Sequence, residues 1–114
     1  MKKINRVKKH SEFDSIIKNA RYVKSQHFVV YFQPKDENLL RTGISVNKKH
    51  GNAVQRNRIK RQVRAMIDEI CPVNLPVDLI IIVRLSYDSN KFAAEKGELK
   101  KLINKINGET NIEK

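Results

Sequence analysis

Cysteine is nearly absent from this chain: Cys71 stands alone among 114 residues. A single thiol excludes an intrachain disulfide and leaves no cysteine cluster for a metal or a redox pair, so a reducing cytoplasm is the expected compartment. Long apolar runs are also missing. None exceeds five residues, the length of Leu79 to Val83, against the roughly 20 needed to cross a bilayer as a helix. Met1-Lys2-Lys3 begins like a signal peptide, but Asn5, Arg6, Lys8 and Lys9 follow where an apolar stretch would be required, and secretion is not expected. The turn Lys48-Lys49-His50-Gly51-Asn52 is short and glycine-poor and lacks a Walker-type Gly-Lys-Ser/Thr, which argues against nucleotide hydrolysis. His10, His27 and His50 are scattered without metal-ligand spacing, so no metal site is expected in the protein. Ser25 and Ser45 have no elbow or triad context, and Asp68-Glu69 reads as a solvated helix end. No catalytic constellation emerges.

Acidic residues are missing from one long stretch, and cations fill it. Nothing from Asn38 to Ile67 is Asp or Glu. Residues 1–64 carry 17 Lys and Arg against 4 acids, whereas residues 65–114 carry 7 against 8, so the net charge of +12 resides in the first part of the chain. Segregated positive charge on a small protein predicts a polyanionic partner, because each phosphate neutralised by Lys or Arg releases condensed counterions.

The length suits a single domain, residues 1–114, with one modest core. A basic arm over about residues 1–10 holds Arg6, Lys8 and Lys9. Ser11 is a candidate N-cap for a first helix whose Phe13, Ile16, Ile17 and Ala20 share one side. Residues 27–33 read as a strand with Phe28, Val30 and Phe32 on one face and Val29 and Tyr31 on the other, turning at Pro34 to Asn38 into a second strand over 40–47, as a hairpin. In that second strand Leu40, Thr42, Ile44 and Val46 alternate with Arg41, Gly43, Ser45 and Asn47, which leaves a polar face for a ligand.

Asn52, with Gln55 three residues on, is the expected cap of a long helix that Pro72 stops. At about 100° per residue, Ile59, Val63, Met66, Ile67 and Ile70 occupy one arc, while Asn57, Arg58, Lys60, Arg61 and Arg64 cover most of the remainder and Arg56 falls near the edge. Residues 77–84 are apolar on both faces and predict a central strand, parallel to the strand at 40–47 across the helical crossover. A final helix capped by Asp88 or Ser89 carries Phe92, Leu99, Leu102, Ile103 and Ile106 until Asn107-Gly108 stops it, and the tail over about 108–114 is expected to fray. Three helices and a mixed sheet make an α+β (α/β) fold.

A cationic helix face is usually a solvated surface, but such surfaces mix signs, and this one does not. Four of the five cations between residues 56 and 64 are Arg, whose planar fork pairs bidentately with phosphate. Phe13 and Tyr31 fit a core by default, and an aromatic on a sheet face can equally stack a base.

The segment Gly51-Asn52-Ala53-Val54-Gln55-Arg56-Asn57-Arg58-Ile59-Lys60-Arg61 resembles the Arg-Asn-Arg signature of bacterial ribonuclease P protein subunits. Gly43-Ile44-Ser45-Val46-Asn47-Lys48-Lys49 before it, Asn5-Arg6-Val7 and Ser11-Glu12-Phe13 near the start, and Asp78 to Arg84 after it extend the resemblance over nearly the whole chain. The resemblance implies a two-layer sandwich of the ribosomal protein S5 domain 2-like type, with a four-stranded-type mixed sheet and a left-handed crossover, against the usual hand. It implies partnership with a catalytic RNA that, with Mg²⁺ in the holoenzyme, cleaves precursor tRNA to make the mature 5′ end, the protein holding no cofactor and no small-molecule substrate. By position, Lys48, Lys49, Asn52, Arg56, Asn57, Arg58, Lys60, Arg61 and Arg64 would face the catalytic RNA, and Phe13 and Tyr31 the 5′ leader. The pattern is broken at Ile17, where a second aromatic commonly stands. A stand-alone RNA- or DNA-binding module, such as a ribosomal protein, is the rival reading.

Overall fold

The computed structural model describes residues 6–7, 10–71 and 75–110. In chain order these form helix α1 (His10–Asn19), strands β1 (Arg21–Lys24), β2 (Phe28–Pro34) and β3 (Arg41–Val46), a 3-10 turn (Lys48–His50), helix α2 (Ala53–Ile70), strand β4 (Val77–Val83) and helix α3 (Phe92–Thr110). The expected complement of three helices and a mixed sheet is present. Lys8, Lys9, Pro72 and the tail at 111–114 lie outside the described residues.

Strand order is β1-β2-β4-β3. The hairpin expected between β2 and β3 does not form. β4 separates them, antiparallel to β2 through Tyr31↔Ile80 and parallel to β3 through Gly43↔Ile80. The reason lies in β4 itself: a strand apolar on both faces loses most by sitting at an edge, so it takes the middle and both neighbours. The hairpin partner of β2 is instead β1, in register Tyr22↔Tyr31, a strand the sequence does not announce because four residues are too few to show a period. The parallel β3–α2–β4 unit is as expected.

Alternation along the strands sends Phe28, Val30, Phe32, Leu79, Ile81 and Val83 to one face, where Ile59, Val63, Met66 and Ile67 of α2 and Leu99, Leu102, Ile103 and Ile106 of α3 close the main core. The opposite face carries a smaller cluster, Val7, Ile16 and Ile80, edged by the partly buried Phe13, Ile17, Ala20, Tyr31 and Ile82. Helix α1 therefore covers the side of the sheet that α2 and α3 do not.

Three expected helix boundaries move. α1 already includes His10, so Ser11 lies inside its first turn and does not cap it. α3 begins at Phe92, because Asp88 folds its carboxylate onto the Asn90 amide at 2.9 Å and makes a turn of its own. It also runs through Asn107-Gly108 to Thr110, so that part of the expected frayed tail is helical. Glycine inside a helix costs about 1 kcal/mol, too little to end one whose apolar face is held by a core.

Candidate nucleic-acid interface

The start of α2 is built as the sequence suggests. The Asn52 side-chain oxygen accepts from the Gln55 amide at 2.9 Å, and Gln55 Oε1 accepts from the Asn52 amide at 2.9 Å, a complete capping box. The Asn52 oxygen is thus engaged in holding the helix end, while Lys48 and Lys49 stand exposed on the preceding turn. Gly51 joins the two with φ 130°, a conformation that favours glycine. His50 is pinned by Nε2, whose proton goes to the Val83 carbonyl at 3.1 Å.

From this anchored end the α2 cations divide into rows, a feature hidden by treating them as one face. Asn57, Arg58 and Arg61 are exposed. Arg58 lines a hollow with Lys49, His50 and Tyr87. The wall of that hollow is tied to α2 by the Tyr87 hydroxyl, which donates to Gln62 Oε1 at 2.7 Å, and by Gln62 Nε2, which donates to the Ser89 carbonyl at 3.0 Å. Burial pushes the Tyr87 phenol well above its usual range, so it stays a donor.

Arg56, Lys60 and Arg64, spaced i, i+4, i+8, form another row and are only half exposed. This row turns toward α1. Lys60 lines a hollow with Phe13, Ile17, Ser45 and Ile82, and Arg64 lines a second with Arg6, Phe13, Thr42 and Gly43. The Phe13 ring stands at both. It can lie that close to β3 because residue 43 is glycine: a Cβ there would overlap the Phe13 ring and Ile80 Cδ1. Arg6 arrives from the N-terminal arm, which bridges the outer edge of β3 at Thr42 through the Val7 amide and the Thr42 carbonyl at 3.1 Å.

Among the described residues no carboxylate lines the Arg6–Arg64 hollow. Burial, followed by repulsion from Arg6, holds the Arg64 guanidinium below its ordinary range. Arg6 Nε, Thr42 Oγ1 and Arg56 Nε are buried without a hydrogen-bond partner among the described residues. Cations forced together with unspent donors suit an incoming anion. By contrast, Arg41 is not available on the polar row of β3: its Nε and Nη2 grip the Asp78 carboxylate at 3.1 and 3.0 Å, with Lys35 Nζ at 2.7 Å. Burial alone would raise the Asp78 pKa, but these hydrogen bonds and charges bring it below the usual carboxylate range.

Tyr31 lies on the α1 side of the sheet, as expected, but β4 stands between it and β3, and neither hollow that Phe13 borders includes it. It is half-buried, and its ring lies 5.5 Å from that of Tyr22, which is 55% exposed. Tyr22 escapes sequence reasoning along with β1. Sequence reasoning also sets the α2 cations apart from Phe13, whereas Lys60 and Arg64 line hollows together with its ring.

Fold and surface together define a class: a small α+β protein that sets an Arg-rich helix beside an aromatic-walled cleft, in the manner of a polyanion binder. The chain belongs to the ribonuclease P protein family, whose model, described as Ribonuclease P, matches residues 1–107. It is 40% identical over 105 residues to the ribonuclease P protein component of Mesoplasma florum, covering 90% of this chain and 96% of that one. With the ribonuclease P protein component of Bacillus velezensis it shares 42% identity over 107 residues, 92% of this chain and 91% of that one. The structure of the Staphylococcus aureus RNase P protein is similar with a TM-score of 0.73 at 31% identity, over 90% of this chain and 94% of the other.

Proposed function

We propose that the protein acts as the accessory subunit of an endoribonuclease in which the RNA subunit, with Mg²⁺, carries out cleavage of precursor tRNA at the mature 5′ end. The protein contributes binding and no catalytic side chain. Its exposed row, Lys48, Lys49, Asn57, Arg58 and Arg61, engages the catalytic RNA. The half-buried row, Arg56, Lys60 and Arg64, works with Arg6 and Phe13 to take the phosphates and bases of the single-stranded leader, and Tyr31 offers a further ring. Asn52 serves indirectly, by fixing the helix start from which both rows project.

The observation that carries this reading is the convergence of Arg6, Arg64 and Phe13 on a hollow opened by Gly43, with no carboxylate among its described lining residues. A cation supplies charge for a phosphate, an aromatic wall supplies a stacking surface for any base, and a leader of variable sequence needs both. Among the described residues no helix is long and apolar enough to cross a membrane. Cys71 is buried, its thiol pushed up to about 11 by burial, so it stays protonated and unreactive at neutral pH, in keeping with a place in the cytoplasm.

Reconstitution tests the proposal. Adding the protein to ribonuclease P RNA at low Mg²⁺ is expected to restore cleavage of precursor tRNA. An unchanged rate, with RNA binding intact, would leave a stand-alone RNA-binding module.

A further inference from the structure

His27, in the turn between β1 and β2, meets two carboxylates from the start of α3. Its Nδ1 lies 2.6 Å from Glu95 Oε1 and 3.0 Å from Glu98 Oε1. Glu95 and Glu98 are i and i+3 on one helix face, whereas His27 is 68 and 71 residues away in sequence. The remaining oxygens are already held from outside: Glu95 Oε2 accepts from the Asp88 amide at 2.7 Å, and Glu98 Oε2 accepts from the His27 amide at 2.9 Å and from the Ser25 hydroxyl. Each carboxylate is therefore fixed by one oxygen and presents the other to the same point.

Glu95 is 1% exposed, an unusual place for a carboxylate unless positive charge faces it. Two neighbouring cations are directed elsewhere. Arg84 reaches the turn but donates to the Ser25 carbonyl at 3.2 Å, and Lys96, between the two acids in sequence, pairs with Glu69 at 2.6 Å. One imidazole nitrogen can share only one proton between two carboxylates, which leaves the cluster short of positive charge.

From this we infer that His27, Glu95 and Glu98 form a binding site for a divalent transition-metal cation of the Zn²⁺ type. One nitrogen and two carboxylate oxygens suit Zn²⁺ better than Mg²⁺, Ca²⁺ or Mn²⁺, which favour all-oxygen sets. The three ligand atoms lie within 4.8 Å of one another. Bonds of about 2.0–2.2 Å in tetrahedral array separate ligands by about 3.3–3.6 Å, so Nδ1 gives up its proton and moves apart from Glu95 Oε1 by about 0.7–1.0 Å, and less from Glu98 Oε1, to admit the ion. The donors behind each carboxylate are the outer contacts that orient ligands in metal sites. His27 and Glu98 side chains keep 23% and 24% exposure, which gives an entry path and a fourth position for water. The bound ion ties the β1–β2 turn to α3. None of its ligands lines either hollow at Phe13.

The test uses the full chain stripped with chelator, then loaded with ZnCl₂ and passed through a desalting column. One equivalent of zinc retained, with a melting temperature that rises with zinc concentration, is expected, since an ion bound only by the folded state stabilises it by mass action. Co²⁺ in place of Zn²⁺ should show the visible absorption of a tetrahedral nitrogen-oxygen site. His27→Gln and Glu98→Gln, both partly exposed positions, should weaken zinc binding by about ten-fold or more. The metal-induced rise is compared within each variant, so a lower starting melting temperature does not obscure it. No retained zinc and no rise in the parent protein would make the cluster a His–Glu ion pair only. Equal retention in both variants would place the zinc elsewhere, and either result overturns the assignment.

Discussion

Beneath α2 and α3, Phe28, Val30, Phe32, Leu79, Ile81 and Val83 are each at most 2% exposed; beneath α1, Ile80 is equally dry, but Tyr31 and Ile82 beside it are only half-buried and Tyr22 stands 55% exposed. The strands are shared, so the difference comes from the cover. A helix is about 10 Å across and strands are about 4.8 Å apart, so two helices roof a four-stranded sheet while one roofs about half of it. α1 lies over the middle and leaves both margins open. One margin is the Tyr22–Tyr31 pair, and the other is the Phe13 cleft walled by Lys60 and Arg64. One face thus supplies stability, and the other keeps a groove.

The largest effect should come from the sealed face. Phe28→Ala, which removes a fully buried ring, is expected to lower stability by about 3–5 kcal/mol in denaturant melts. A loss no greater than that of a surface substitution would erase the distinction between the faces. Tyr31→Ala, on the open face, should instead weaken holoenzyme affinity for precursor tRNA by about 1–3 kcal/mol, the worth of one stacked base, while affinity for mature tRNA stays level. If both affinities fall together, or the variant melts as early as Phe28→Ala, Tyr31 is core and the open face is not a binding surface.

Charge sharpens the contrast further. Arg61→Ala and Arg64→Ala should each reduce the salt slope of RNA binding by about one in filter-binding titrations, without unfolding the domain. Arg64→Ala should leave stability level or slightly raised, because it relieves the repulsion from Arg6. A clear destabilisation would mean that its aliphatic stem packs as core. A last effect concerns Asp78, whose folded pKa lies below its ordinary value. Its ionic contribution is therefore present above the unfolded carboxylate range of about 4 and is lost as pH falls through the folded value. Asp78→Asn should flatten the acid limb of the stability curve. An identical limb in the variant would show that Arg41 and Lys35 do not hold that carboxylate.

Long periodic segments are legible from their residues alone. Ile59, Val63, Met66 and Ile67 are buried as their spacing requires, Asn52 and Gln55 cap α2, and β4 is central. The β2–β3 hairpin fails because adjacency in sequence is a weaker guide than the demand of a doubly apolar strand for two neighbours. β1 and Tyr22 escape notice because four residues hold too little pattern, and Asp78, a lone acid inside an apolar strand, is the one available sign of a buried ionic cluster.

What the sequence by itself determined is whatever depends on near neighbours: helix faces, strand alternation, the cap, and the segregation of charge that demands a polyanion. Tertiary structure alone decided which distant residues meet. Arg6 faces Arg64, Phe13 rests over Gly43, and His27 joins Glu95 and Glu98. The physical reason is that local preferences act over a few residues, whereas these meetings follow from strand order and from how much of each sheet face a helix can cover.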